Sequence, residues 1–148
     1  KNLFEKLFNK KINLWGEKGF GGFQVNSVED KPWVHTDDQE GVSYSALIFL
    51  NKEYPDYDCG TSFYSHKGSG KKVQFDIDYS ENLYADISNT ERCLRNYDTA
   101  WIEYDTVKYK YNRMVIFNAK FFHRTSSYFG NKHEKDKMRL MQVFFLAF

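Results

Sequence analysis

The sequence predicts a mainly β fold, in which many short strands form a sandwich or barrel with a helix at one end. Aromatic residues make up 19% of the 148 residues, with 14 Phe and 11 Tyr, and large aromatic side chains favour strands over helices. From residue 42 onward, short apolar runs alternate with turn residues, as in all-β domains. No linker rich in Pro or Ser divides the chain, so we expect one domain, residues 1–148, with one core.

The first 15 residues are predicted to form a helix that packs on the strands. Apolar residues recur there at near-helical spacing among lysines and asparagines, at Leu3, Phe4, Leu7, Phe8, Ile12 and Leu14. A basic amphipathic helix can also lie on a membrane, but packing against a sheet is far more common, so we expect no membrane partner. Because the chain begins at Lys1 without a signal-peptide pattern, we expect a trimmed or partial chain that lacks an N-terminal part.

Six apolar runs bounded by turn residues are predicted to be strands, at 42–50, 60–64, 101–108, 113–118, 121–126 and 139–148. Tyr111 and Asn112 form the expected turn before the fourth of them. Residues 71–81 are expected to be extended and residues 89–96 to form a short helix with an Asn cap. A polar loop is expected at 131–137.

Charge and cysteine content narrow the class of function. With 21 basic and 20 acidic residues the net charge is +1, which gives no electrostatic argument for binding nucleic acid or an anionic membrane. No run of about 18 apolar residues is present, so no membrane span is predicted. Cys59 and Cys93 are too few for a disulfide framework. As ordinary thiols they indicate a reducing, intracellular location, most simply the cytoplasm.

Two histidines and an aspartate are the candidate metal ligands. His35 and Asp37 are separated by one residue, and residues two apart in an extended chain point to the same side, so both can face one ion. His123 ends an apolar run whose alternation places it on the same face as Phe121. Two imidazoles and one carboxylate hold a non-haem ferrous ion and leave coordination positions open. Each motif also has a simpler interpretation, namely a polar surface loop at 35–37 and a hydrogen-bonded core histidine at 123.

Arg139, at the start of the last apolar run, is the candidate anion-binding residue. Both faces of that run are apolar, and Met141, Val143 and Phe145 share the face of Arg139. A guanidinium buried there needs an anionic partner, and its planar fork fits a carboxylate through two hydrogen bonds. The partner would be a ligand or an internal Asp or Glu, unless the strand begins in solvent at Arg139.

The order of these motifs resembles the ferrous-iron and 2-oxoglutarate-dependent dioxygenase superfamily, close to its prolyl-hydroxylase-like branch. Four segments carry the resemblance: the first metal motif at 32–37 (PWVHTD), the following strand at 46–51 (ALIFLN), a Gly-containing strand at 59–64 (CGTSFY), and the strand at 112–118 (NRMVIFN). His123 then matches the distal histidine, and Arg139 the oxoglutarate-binding arginine. The resemblance covers about residues 23–148.

That resemblance implies a double-stranded β-helix, a jelly-roll or cupin-like barrel with one or two flanking helices. It implies Fe(II) held by His35, Asp37 and His123, 2-oxoglutarate paired with Arg139, O2 as co-substrate and ascorbate as an optional reductant. Tyr44, on the strand beside the metal motif, is the expected second anchor of the oxoglutarate carboxylate. The implied reaction hydroxylates an unactivated carbon of a peptide or small molecule and releases succinate and carbon dioxide. The carboxylate of Asp37 favours hydroxylation, because halogenating relatives typically lack it.

The sequence departs from the family at two positions and leaves two other functions open. Asn112 stands where the family often has Gly, and Met141 where some branches have Ser. One alternative is a cupin-like metalloenzyme that uses the same ligands without 2-oxoglutarate. The other is a non-catalytic β-sandwich binding module, in which exposed Trp and Tyr side chains hold a sugar or peptide. Neither the substrate nor the oligomeric state is predicted.

Overall fold

The structure, a computed structural model, describes residues 1–13, 21–38, 41–73 and 100–148. In these residues it contains one α-helix, seven β-strands and one 3-10 turn. The helix α1 spans Asn2–Phe8 and the turn spans Lys135–Lys137. The strands are β1 (Gly22–Asn26), β2 (Tyr44–Phe49), β3 (Thr61–His66), β4 (Trp101–Val107), β5 (Met114–Asn118), β6 (His123–Thr125) and β7 (Arg139–Leu146). None of the helices in these ranges is long and apolar enough to cross a membrane.

The strands form two antiparallel sheets with a shared core, which confirms the mainly β prediction. One sheet has the order β1-β7-β2-β5 and the other the order β4-β3-β6. Phe63 on β3 meets Phe117 on β5 edge to face, with ring centroids 5.3 Å apart, and Leu47 and Val115 belong to the same buried cluster. The described strands therefore form a sandwich of two sheets and do not close into a barrel.

Helix α1 covers the outer face of the four-stranded sheet, as the amphipathic pattern predicted. The ring of Phe4 lies 5.4 Å from that of Phe144, and the ring of Phe8 lies 4.8 Å from those of Tyr44 and Phe148. The predicted length was wrong, because the helix ends at Phe8, with Asn9 in the left-handed conformation (φ 50°) as its C-cap. Ile12 is still buried in the same cluster, so the apolar pattern continues beyond the helix.

All six predicted strands are present, with boundaries moved by up to two residues, but the sequence did not predict β1. This strand lies at the edge of its sheet, and four of its five residues are exposed. Phe23 and Val25 alternate with polar residues, but the run is only five residues long and both apolar side chains are exposed rather than part of the core. Asn112 adopts the left-handed conformation (φ 60°) in the turn before β5, as expected for the residue that replaces Gly. The predicted helix at 89–96 and most of the extended segment at 71–81 lie outside the described residues.

Candidate metal centre

His35 and His123 lie opposite each other as an antiparallel pair. The amide of His35 donates to the carbonyl of His123 over 3.0 Å, and the amide of His123 donates back over 2.9 Å. On its other side β6 pairs with β3, where His123 stands opposite Phe63. Directly paired residues project their side chains to the same face of a sheet, and the two imidazole rings have centroids 4.4 Å apart.

The carboxylate of Asp37 lies between the two imidazoles. Its amide donates to the carbonyl of Ala119 over 2.8 Å, which holds the segment after His35 against the end of β5. Asp37 Oδ1 is 3.6 Å from His35 Nε2, and Oδ2 is 3.4 Å from His123 Nε2. One ligand atom from each of the three residues lies within 4.8 Å of the others. The structure thus brings together the three residues that the sequence proposed as metal ligands.

Backbone carbonyls select the tautomer of both histidines. His35 Nδ1 lies 2.9 Å from the carbonyl oxygen of Trp33, and His123 Nδ1 lies 2.9 Å from that of Phe121. A carbonyl oxygen can only accept, so each Nδ1 carries the proton and each neutral ring keeps a lone pair on Nε2. Because both Nε2 atoms face Asp37, the donor set fits a divalent transition-metal ion.

The protonation states also suit metal binding. Burial lowers the pKa of His35, and electrostatic repulsion by the His123 ring lowers it further, against the opposing effects of the Trp33 carbonyl and of Asp37. Burial alone would raise the pKa of Asp37, but its contacts with His123, the Ser45 hydroxyl and His35 bring it below the ordinary value. A neutral imidazole and an ionised carboxylate are the forms that coordinate metals.

Ser45 belongs to the site, although sequence analysis did not identify it. Its hydroxyl donates to Asp37 Oδ2 over 2.6 Å, and the residue is 2% exposed. On β2, Ser45 is two residues before Leu47, so both face the space between the sheets. A serine on the buried face of an apolar strand is the signal that would have revealed it.

A cavity of about 160 Å³ lies between the sheets, and the three candidate ligands form part of its wall. Trp33 also lines it, and its side chain is 52% exposed. Most of the remaining wall is apolar or aromatic, formed by Leu47, Phe117, Tyr128, Met141, Val143 and Phe145. The metal-binding atoms therefore adjoin a cavity large enough for a small molecule, within largely apolar walls.

Arg139 is completely buried behind this cavity. Its Nε donates to the carbonyl of Cys59 over 3.0 Å, Nη2 to that of Gly60 over 3.3 Å, and Nη1 to the sulfur of Met141 over 3.0 Å. Within the described ranges, no carboxylate lies within ion-pair distance of the guanidinium. In the described part of the chain, Arg139 therefore neither lies in solvent at the start of its strand nor pairs with an internal Asp or Glu.

The guanidinium and the cavity are separated by one layer of side chains. Met141 and Tyr128 line the cavity, and both contact Arg139, the first through Sδ and the second with its ring 5.9 Å from the guanidinium carbon. The rings of Phe49 and Tyr109 lie at 5.5 and 5.7 Å. Burial lowers the pKa of Arg139 to about 10, so the guanidinium remains charged at neutral pH.

Tyr44 is not part of this site, so its predicted role as a carboxylate anchor was wrong. It lies on the outer face of β2, where its ring packs 4.8 Å from Phe8 and 5.9 Å from Phe148. The reason is strand alternation: Ser45 faces the cavity, so its neighbour Tyr44 faces helix α1.

The other two histidines also lie apart from the three candidate ligands. His66 binds the Ser69 hydroxyl in a turn, with Nδ1 3.0 Å from Oγ, and His133 is exposed.

Comparison with known proteins gives no match to a family model, a curated protein or a solved structure. The chemistry of the side chains at the cavity is therefore the basis for assigning a function.

Proposed function

We propose that the protein is a non-haem Fe(II)- and 2-oxoglutarate-dependent dioxygenase that hydroxylates an unactivated carbon of a peptide or small molecule. Succinate and carbon dioxide would be the products of the co-substrate. One observation carries the proposal: two Nε2 lone pairs and a carboxylate converge beside a cavity, and a buried arginine without an acidic partner in the described ranges lies behind its wall.

The donor set favours iron with open coordination positions. Two neutral imidazoles and one carboxylate are the ligands of many ferrous oxygenases, and no thiolate is present among the clustered residues. The same donors occur in zinc hydrolases, but those do not require a buried cation nearby. Arg139 is therefore the feature that favours an oxygenase with an anionic co-substrate.

The strand order supports a double-stranded β-helix. The segment at His35 pairs with β6 and can be counted as the second strand of eight. With this count, β2 to β7 become the third to eighth strands. The sheets then have the orders 1-8-3-6 and 2-7-4-5, with antiparallel neighbours throughout. This order matches that of a jelly roll, in which two Greek keys form facing sheets, and so supports that fold. Such a fold places the first and distal ligand segments side by side.

Arg139 would bind the distal carboxylate of 2-oxoglutarate. Two carbonyls hold the Nε and Nη2 edge of the guanidinium, and Met141 contacts Nη1. A carboxylate would approach the Nη1 and Nη2 edge, where a fork of two hydrogen bonds is favourable. The unbranched thioether of Met141 can move aside at low cost. We place the second anchor at Tyr128, which lines the cavity beside Arg139.

The residues of the chain would bind, orient and exclude water. Bound iron and 2-oxoglutarate together supply the activation of O2 that oxidises a carbon–hydrogen bond. His35, Asp37 and His123 hold the metal, Ser45 orients the carboxylate, and the apolar walls keep bulk water from the oxidising centre. Trp33, exposed beside His35 with ring centroids 5.9 Å apart, would be the first residue that a substrate meets.

Anaerobic titration of the ferrous protein with 2-oxoglutarate tests the proposal. A visible metal-to-ligand charge-transfer band is expected, because the keto acid would chelate the iron. Succinate release under air, screened over a panel of peptides and small molecules with ascorbate present, then identifies the substrate. Tight iron binding without the band would contradict the use of 2-oxoglutarate.

One observation favours the cupin-like metalloenzyme that does not use 2-oxoglutarate. The guanidinium of Arg139 already has three acceptors inside the protein, as a purely structural arginine would. In that case iron binds but 2-oxoglutarate does not, and the titration shows no band. Failure to bind ferrous iron at all would favour the non-catalytic β-sandwich.

A further inference from the structure

The side chain of Asn51 binds the backbone of β7 on both sides of Arg139. Its Nδ2 donates to the carbonyl of Met138 over 2.9 Å, and its Oδ1 accepts from the amide of Leu140 over 2.7 Å. A side-chain amide that makes both bonds replaces a backbone peptide group of a neighbouring strand. The pairing of β2 with β7 ends at Phe49 opposite Met141, so Asn51 extends the support of β7 past Arg139.

Tyr109 completes this arrangement from the opposite side. Its hydroxyl oxygen accepts from the amide of Asn51 over 2.9 Å and lies 2.7 Å from Asn51 Oδ1 and 3.2 Å from the carbonyl of Leu140. Its ring stacks on Phe49 at 4.3 Å and lies 5.7 Å from the guanidinium carbon of Arg139. Tyr109 is 5% exposed, so water does not compete for these bonds.

We infer that Asn51 and Tyr109 are positioning residues that aim the guanidinium of Arg139 at the bound co-substrate. The inference rests on the proposed binding of a carboxylate at Arg139. Both residues act through Arg139. Asn51 holds the backbone on either side of it, at Met138 and Leu140, and the ring of Tyr109 contacts its guanidinium. Neither belongs to the metal site, where β2 contributes Ser45. Six residues of extended chain separate Ser45 from Asn51, which corresponds to about 20 Å.

This location predicts a selective effect on the co-substrate. Loss of the Asn51 amide removes two of the bonds that hold the backbone around Arg139, where the Phe129 carbonyl and β1 remain. A carboxylate must then order the guanidinium further when it binds. The affinity for 2-oxoglutarate should fall, whereas iron, held by residues at the other end of the strand, should bind as before. A merely stabilising role would lower the melting temperature but would not alter the affinity of the folded protein for 2-oxoglutarate.

The test uses Asn51→Ala and Tyr109→Phe, with Tyr111→Phe as the matched control. Tyr111 is two residues from Tyr109 and 43% exposed. The dissociation constants of Fe(II) and of 2-oxoglutarate are measured anaerobically at a temperature where every variant is folded. In Tyr109→Phe the dissociation constant of 2-oxoglutarate should rise about two- to tenfold, the range for one hydrogen bond. In Asn51→Ala, which loses several hydrogen bonds, it should rise about tenfold or more. The control and all iron affinities should change less than twofold.

Three different results would overturn the inference. If the wild-type protein gives the charge-transfer band and both variants bind 2-oxoglutarate as the wild type does, the positioning role is wrong and the proposed function stands. If the wild-type protein binds iron but no 2-oxoglutarate, the proposed function is wrong and the positioning role falls with it. Equal loss of iron and 2-oxoglutarate affinity would also refute a role exerted through Arg139.

Discussion

The hydroxyl of Ser45 donates a hydrogen bond of 2.6 Å to Oδ2 of Asp37. This bond engages the carboxylate oxygen nearer His123 and leaves Oδ1, 3.6 Å from His35 Nε2, as the less engaged oxygen. The carboxylate is thus oriented before any metal arrives. Groups that orient metal ligands in this way commonly contribute about ten- to a hundredfold to metal affinity.

Ser45→Ala should therefore weaken Fe(II) binding by about ten- to a hundredfold. The measurement is an anaerobic titration with Fe(II), or with Co(II) as a spectroscopic substitute. Ser62→Ala is the matched control, because Ser62 is also completely buried but bonds to Thr106 and Ser126 instead. Equal iron affinity in the two variants would show that Asp37 needs no orienting group.

Asp37→Ala and His123→Ala should each abolish the turnover of 2-oxoglutarate while leaving the fold largely intact. Each removes one of the three ligands, which weakens the binding of Fe(II) and changes the coordination positions left for 2-oxoglutarate and O2. Succinate release is the measurement, with circular dichroism to verify the fold. His133→Ala, which changes an exposed histidine outside the cluster, should retain activity. Turnover at the wild-type rate in either ligand variant would remove that residue from the site.

Arg139→Ala should weaken 2-oxoglutarate far more than iron. The guanidinium is the buried cation behind the cavity, and its loss removes both the charge and the fork that a carboxylate needs. Arg139→Lys keeps the charge without the fork, so it should bind 2-oxoglutarate with intermediate affinity. Anaerobic titrations of each ligand separate the two effects. If both affinities fall equally, Arg139 has a structural role.

Much of the candidate site was predictable because strands have a period of two. Alternation placed His35 and Asp37 on one side and His123 on the inner face of its strand, and the structure brings all three together. The same rule would have excluded Tyr44 had it been applied with Leu47 as the reference. Sequence spacing, however, could not show that His35 pairs directly with His123, because that contact depends on the register between distant segments.

The missed elements have specific physical causes. Strand β1 is defined by its backbone pairing with β7, and its apolar residues, Phe23 and Val25, are exposed instead of buried in the core. Helix α1 ends early because Asn9 turns left-handed, although Ile12 continues the apolar spacing and remains buried. Asn51 holds the backbone on both sides of Arg139 because its side-chain amide replaces a peptide group. This contact between distant residues cannot be predicted from composition.

Gly60→Ala should lower the free energy of unfolding by about 1–3 kcal/mol or more, the range for overpacking. A Cβ at Gly60 would lie 1.9 Å from the carbonyl oxygen of Val107 and 2.8 Å from the amide nitrogen of Tyr109. Both atoms belong to the backbone, so the chain itself must shift. Because the Gly60 carbonyl also accepts from Arg139 Nη2, the affinity for 2-oxoglutarate should fall with stability.

Chemical denaturation of Gly60→Ala beside Gly68→Ala provides the check. A Cβ at Gly68 would meet only the side chain of His66, at 3.1 Å, a half-buried ring at the end of β3 that can shift more easily than backbone atoms. Gly68→Ala should therefore stay within about 0.5 kcal/mol of the wild-type protein, as most surface substitutions do. Equal stability of the two variants would mean that the strand beside Gly60 is free to shift, and that the carbonyls holding Arg139 are not rigidly placed.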